Sequence, residues 1–451
     1  MLVYSSMTAR RFPETPVFYR DLGKVLPTAV RGEGIYLFDS SGKRYLDACG
    51  GALVVSLGHG RKDLARAMAA QAGEVAYVHG TQFTTDAIEE WAEGLARLLP
   101  DGLSKLYLVP GGSEATETAI KLARQYHIAR GHDSKYRALA VRPSYHGGTL
   151  GALSVTGRES LRKPYLPLLS NQHHAPAPYC YRCPLGKSYP DCGVACADAL
   201  SDLIQELGPD TVSAFFVESV GGAATGAAVP PPDYLPRVRE ICDRHDVLLV
   251  LDEVLVGYGR TGTFLACGPS GVVPDILLLG KGITSGVVPG GAVAVREEIA
   301  RTIKDKLGSF THGFTFSHHP VVAAVAREVL SILEREDLVA RVARLERPFF
   351  AALERLKRFD FVGDVRGRGL LAGIELVRDK TTKEPFPRSR KLVEEVASRA
   401  FGKGLIIYYG TGMANGVDGD TVVLGPPFVI EERELDDISS LLEETFSELN
   451  P

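Results

Sequence analysis

Three short stretches carry side chains whose types and order could do carbonyl and amine chemistry. Gly111-Gly112-Ser113 follows the apolar run 105–109 and precedes a helical period through Ala115, Ala119, Leu122, Ala123 and Tyr126. Backbone N–H groups at a helix N-terminus, approached closely across glycine and joined by a hydroxyl, form an anion cradle. The same tripeptide would also serve as a plain turn with Ser113 capping its helix. Asp252 closes the unbroken apolar run 247–251, at the strand end where ligands of open α/β sheets gather. A carboxylate there needs a cationic partner, and a protonated pyridine nitrogen, an arginine or a helix cap would each do. Lys281 ends the next apolar strand, 275–279, between Gly280 and Gly282. An amine held among apolar strands has its pKa lowered, which makes it a nucleophile for aldehydes and a proton carrier; a lone strand-end lysine is more commonly a solvated side chain. In conjunction and in this order, cradle, carboxylate and amine match the contacts that pyridoxal phosphate needs.

The elements that must position these residues are legible as repeated apolar strands, each followed by a helical period, from about residue 62 to 282. That pattern predicts βαβ units and a mostly parallel sheet. An alternating run at 32–39 that resumes at 44–47 reads as a hairpin. One long helix is expected from about 320 to 356, then short strands near 362–365 and 371–376 and a final helix at 432–448. The division expected is an N-terminal segment, 1–60, belonging to a small domain; a large domain, 61–325; and a C-terminal small α+β domain, 326–451. The chain has 451 residues, 45% of them apolar, with 51 basic against 55 acidic side chains, a net charge of −4. With no basic block interleaved with aromatics, a general nucleic-acid binder is excluded. No apolar run approaches the roughly 18 residues of a membrane span, and residues 1–11 do not read as a secretory signal. The expected location is the cytoplasm.

Other motifs compete for attention. Gly257-Tyr258-Gly259-Arg260-Thr261-Gly262 satisfies G-x-G-x-x-G, but a dinucleotide site needs a helix immediately afterwards, and Thr263 to Pro269 shows no helical period. A nicotinamide oxidoreductase is therefore the alternative from another class. Cys180, Cys183, Cys192 and Cys196 crowd one Pro- and Gly-rich segment. Zinc held by four thiolates, a disulfide, or reduced thiols remain open for them. The pairs His173-His174 and His318-His319 would point to opposite faces in a strand, so no metal site is expected of them.

Together these residues resemble the class III aminotransferases, the ω-transaminase branch of fold type I pyridoxal-phosphate enzymes. The motifs that carry the resemblance are Gly111-Gly112-Ser113-Glu114-Ala115, Tyr145-His146-Gly147, Asp252-Glu253-Val254 with the 257–262 run, Leu279-Gly280-Lys281-Gly282, His312-Gly313-Phe314-Thr315 and Pro426-Pro427, in register over roughly residues 30–430. The resemblance implies a large domain with a mostly parallel mixed sheet between helices, plus a smaller α+β domain. It implies that Lys281 forms a Schiff base with pyridoxal 5'-phosphate and shuttles the substrate proton, while Asp252 holds the pyridinium N–H. Gly112 and Ser113 would bind the phosphate, joined by Thr315 from the other subunit of a homodimer. Tyr145 would stack on one ring face and Val254 on the other, with His146 and Glu218 completing the site. Tyr19, Leu53 and Phe83 fall where relatives line the substrate pocket, though core packing explains them equally well. The implied reaction moves an amino group from an amine or ω-amino donor to a 2-oxo acid, commonly pyruvate. An aminomutase, racemase or decarboxylase begins from the same Schiff base and is the nearest alternative.

The sequence departs from the family where a substrate carboxylate is usually clamped. Val423 stands where one branch has an arginine, Gly416 stands roughly where another has its mobile arginine, and Ala223 replaces the glutamate that gates the first. Without that guanidinium, either another cation, such as Arg260, Lys163 or a partner residue, must bind the carboxylate, or the favoured donor has none there. Arylalkyl amines or diamines should accordingly outperform ornithine as donors when initial rates are compared across a donor panel with pyruvate and 2-oxoglutarate. Ornithine with 2-oxoglutarate emerging as the best pair would contradict this reading.

Overall fold

The computed structural model describes residues 9–10, 13–170 and 173–451. Its centre is a seven-stranded sheet in the order Lys105–Val109, Gly291–Val295, Ile276–Gly280, Leu248–Asp252, Val212–Glu218, Arg137–Arg142, His174–Pro176. Only the Gly291–Val295 strand runs against its neighbours; the other pairings are parallel. The carboxyl ends of the remaining strands therefore share one edge. Register brings the chemistry together there, because Asp252 pairs with Glu218 on one side and with Leu278 on the other, three residues before Lys281.

The apolar runs are continuous because both sheet faces are covered. Alternate residues feed two separate cores: Phe215, Val217, Leu249, Leu251, Leu277 and Leu279 enter one, and Ala214, Phe216, Leu248, Val250, Ile276 and Leu278 the other. The Gly112–Ala129 helix lays Ala115, Ala119, Leu122, Ala123 and Tyr126 on the second core. That is the face its 3.6-residue period anticipates. Pro320–Arg335 contributes Val325, Val329, Ile332 and Leu333 to the first.

Beyond the central sheet, an antiparallel sheet orders Val362–Arg368, Leu371–Leu376, Asp420–Leu424 and Tyr408–Thr411. The N-terminal strands Ala29–Glu33, Tyr36–Asp39 and Arg44–Asp47 join the C-terminal region through the parallel pairing of Leu46 with Leu405. Three local expectations are corrected. The expected hairpin forms between Tyr36–Asp39 and Arg44–Asp47, but residues 32–33 belong to the preceding strand, because Gly34 takes φ +56° and turns the chain. The expected single helix at 320–356 is Pro320–Arg335 and Leu338–Glu354, separated where Asp337 adopts φ 49°. His318 and His319 precede a helix rather than lying in a strand. Among the described residues, no helix is long and apolar enough to cross a membrane.

Candidate active site

At the carboxyl edge of the sheet lies a cavity of about 370 Å³. Leu53, Gly112, Ser113, Tyr145, His146, Glu218, Asp252, Val254 and Lys281 all line it, so nine sequence-expected residues from six separate stretches meet at one place. Lys281 follows directly on the Ile276–Gly280 strand with its backbone in the left-handed region, φ 42°. Non-glycine residues persist there only when their surroundings impose it, commonly at functional sites. Burial lowers the Lys281 amine from the ordinary lysine range, and the nearby carboxylates of Asp252 and Glu218 partly hold it up.

Asp252 is buried and doubly held: Oδ1 accepts a hydrogen bond from the Val254 N–H at 2.9 Å, and Oδ2 accepts one from His146 Nδ1 at 2.8 Å. With Nδ1 donating, the ring orientation of His146 is set. Its Nε2 is buried without a hydrogen-bond partner among the described residues. Glu218 accepts from the N–H groups of Tyr145, at 3.1 Å, and Gly222, at 2.8 Å, which ties the Tyr145 loop to the sheet edge. Burial pushes the Glu218 carboxyl up, opposed by His146 and reinforced by Asp252. The adjacent Glu253 has a scaffolding role, since both its oxygens accept loop N–H groups, from Ala266 and Cys267, at 2.7 Å.

Val254 is wedged between two glycines. A Cβ on Gly112 would lie 2.8 Å from Val254 Cγ1, and a Cβ on Gly280 would lie 2.9 Å from the same atom. Both glycines thus let the valine sit back against the start of the helix and the end of the strand, leaving a flat apolar surface beside Lys281. The helix begins at Gly112 with Gly111 as its extended N-cap and no side-chain cap, so Ser113 is not the capping residue that the alternative reading required. First-turn N–H groups of a helix have no intrahelical acceptor. Ser113 Oγ accepts from the Gly148 N–H at 3.1 Å, which leaves its own hydrogen free to donate into the cradle. A buried acid at the sheet edge, an amine within the same cavity, an apolar wall and a helix N-terminus fit the ring nitrogen, aldehyde, ring face and phosphate of pyridoxal phosphate.

The remaining expectations fare differently. Tyr19 does not line the cavity, although its neighbour Arg20 does; Phe83 is 67% exposed and also lies outside it. Thr315 is exposed and absent from this chain's cavity wall, with its carbonyl accepting from the Tyr77 hydroxyl at 2.8 Å. Arg260 is no free cation for a substrate carboxylate. Its guanidinium is buried, donates to the carbonyls of Leu370 and Pro426 at 3.0 and 2.6 Å, and stacks over Phe428. Lys163 is likewise outside the lining. Sequence reasoning missed Arg158, Arg20, Val220, Leu255 and Tyr408, all of which line the cavity.

The two competing motifs also resolve. Gly259 and Gly262 have positive φ, and a Cβ on either would come within 3.0 Å of Val339 or Ala343, so these glycines admit the Leu338–Glu354 helix and no helix follows them as a dinucleotide site requires. The four clustered cysteines border one small hollow as free thiols, with Cys196 pushed up to about 11 by burial. Among the described residues, no group of three or more His, Cys, Asp or Glu is arranged to hold a metal ion.

The family model described as aminotransferase class-III matches residues 18–446. The chain belongs to the class III aminotransferases. As a class III aminotransferase it is a pyridoxal-phosphate-dependent transaminase of fold type I. It is 34% identical over 413 residues to the putrescine–pyruvate aminotransferase of Pseudomonas aeruginosa, covering 91% of this chain and 88% of that one. Among solved structures, an (S)-enantioselective ω-transaminase from Thermomicrobium roseum superposes with TM-score 0.88 at 37% identity, covering 94% of this chain and 93% of that one. A PLP-bound amine transaminase from an uncultivated Pseudomonas species gives 0.89 at 35%, covering 98% and 99%.

The wedge generates a test. Gly280→Ala or Gly112→Ala should drive Val254 into the cavity and weaken cofactor retention by about tenfold or more, the effect of misplacing one apolar wall by about an ångström. Gly268→Ala, whose Cβ meets nothing within 4 Å, should retain the cofactor as the parent does. Titration of each apo-protein with pyridoxal phosphate, followed by visible absorbance, measures this; equal affinities throughout would refute the role of the wedge.

Proposed function

We propose that this aminotransferase transfers an amino group from an amine donor to a 2-oxo acid, pyruvate being the expected acceptor, in two half-reactions that share one cavity. The observation that carries the reading is the meeting of the Lys281 amine, the Asp252–His146 pair and the Gly112 helix start around a single void. Bound pyridoxal phosphate supplies an aldehyde that takes up the donor's nitrogen and a ring that absorbs the electron pair left when the adjacent C–H bond ionises.

Each residue then has a defined task. With the cofactor bound, Lys281 Nζ would take the proton from the carbon bearing the donor's nitrogen and return it to the carbon that was the aldehyde. Burial favours the neutral amine that this requires. Asp252, fixed by His146 and the Val254 N–H, would keep a proton on the ring nitrogen. Tyr145 and Val254 would flank the ring, and Gly112 and Ser113 would hold the phosphate. Leu53, Val220 and Leu255 offer an apolar wall to the donor's side chain. The second half-reaction runs the same steps in reverse on the oxo acid.

A homodimer accompanies this reading. Tyr77, Phe83 and Phe316 are 41%, 67% and 57% exposed, and the Tyr77 hydroxyl binds the Thr315 carbonyl beside them. Exposed aromatic side chains of this kind are suited to cover by a second copy, which would carry Thr315 towards the partner's phosphate. A reported relative that uses putrescine with pyruvate agrees with the choice of acceptor.

Purified protein loaded with cofactor and given 1-phenylethylamine plus pyruvate should form alanine and ketone in equal amounts. Lys281→Ala should lower that rate by 10³-fold or more, since proton carriage and nucleophilic exchange are lost together. Product formed without any acceptor would instead favour a mutase, racemase or decarboxylase. The pH dependence follows from the direction of the lysine shift. A depressed amine is neutral above its lowered pKa, so the single-turnover rate with an amine donor should rise with pH and level off below the roughly 10.4 of an ordinary lysine. A limb that stays in the ordinary lysine range for donors of differing basicity would contradict the assignment.

A further inference from the structure

The proposed acceptor bears a carboxylate, yet the positions of the family's usual guanidinium clamp hold Val423, buried in the Asp420–Leu424 strand, and Gly416. The cavity nevertheless contains two arginines. Arg158 enters it from the loop after the Leu150–Val155 helix, and Arg20 from the N-terminal segment. Arg158 donates from a terminal nitrogen to Thr411 Oγ1 at 3.2 Å, while its Nε is buried without a hydrogen-bond partner. Among the described residues, no carboxylate lies within ion-pair distance of either guanidinium, although the adjacent Glu159 is engaged by Arg142. The polar neighbours that act on Arg158 are Tyr408, Tyr145, Tyr409 and Arg20. Of these, Arg20 repels it.

Two guanidiniums facing one cavity, neither of them ion-paired among the described residues, form an anion site, because the half-buried Arg158, with an unsatisfied N–H, loses solvation that only an acceptor restores. The planar fork of Arg158 suits a carboxylate. We propose that Arg158, assisted by Arg20, binds the carboxylate of the 2-oxo acid and so fixes acceptor specificity. This rests on the transaminase reading. It answers how one cavity accepts both a donor without a carboxylate and an acceptor with one: Arg158, held by Thr411 through one terminal nitrogen, meets the carboxylate, and the apolar wall of Leu53, Val220 and Leu255 is left to the donor.

The test separates the half-reactions of the cofactor-loaded, full-length enzyme. Reaction with 1-phenylethylamine converts the bound cofactor to its amine form; reaction of that form with pyruvate restores it; stopped-flow absorbance follows each. For Arg158→Met, the second-order rate constant with pyruvate should fall 10- to 100-fold more than that with the amine, the loss expected for a charge-assisted hydrogen bond to a carboxylate. Arg158→Lys should recover part of this, and Arg20→Met should raise the KM for pyruvate by a smaller factor. An unchanged pyruvate reaction would overturn the proposal. So would equal losses in both half-reactions, which mark a structural role, or a loss confined to cofactor affinity, which would assign Arg158 to the phosphate. If the parent enzyme carries out neither half-reaction, the transaminase reading fails and this proposal falls with it.

Discussion

The arrangement depends on placing an amine and a pair of carboxylates together at a partly dehydrated sheet edge. Burial acts on both in opposite senses: it lowers the Lys281 amine, which Asp252 and Glu218 partly hold up, and raises the Glu218 carboxyl, which His146 partly holds down. Buried charge is costly unless paired, so the cluster is held in shape by directed hydrogen bonds. Asp252 takes one from His146 and one from a backbone N–H, and Glu218 takes two from backbone N–H groups. A pyridinium resting against Asp252 would bring the missing cation and leave Lys281 neutral. Electrostatics and proton chemistry are in this way the same constraint.

Parallel pairing is what brings these groups to one edge. Glu218 and Asp252 are register partners on adjacent strands, and Lys281 follows the next strand by one residue. The antiparallel Gly291–Val295 strand then sets Gly291 against both Gly280 and Val109, just before the phosphate cradle. Small residues dominate this crossing because the backbone there is close: a Cβ on Gly291 would come within 2.7 Å of the Gly111 carbonyl. Such packing turns a sheet edge into a rigid floor for a flat ring.

Much of this was legible in the sequence. Continuous apolar runs ending in Asp252 and Lys281 expose both strand and terminal chemistry, and the alanine period after Ser113 shows which helix face is buried. What escaped was decided by tertiary contact. Arg158 acquires its place through Thr411, 253 positions away, and nothing local distinguishes it from the neighbouring Arg162, whose guanidinium is committed to the carbonyls of Leu153, Ser154 and Thr156. Arg260 looked available because its carbonyl partners and Phe428 lie more than a hundred positions away in sequence. The break at Asp337 carries no glycine or proline signal. An aspartate in the left-handed region supplies it instead.

The central claim is that the amine of Lys281 is the group that holds pyridoxal phosphate. Borohydride reduction of the cofactor-loaded protein, followed by proteolysis and mass spectrometry, tests it most directly. A phosphopyridoxyl mass on the peptide containing Lys281, and on no other lysine in stoichiometric amount, is the predicted result. Stoichiometric label on a different lysine, or protein that loses the cofactor unreduced, would contradict the account.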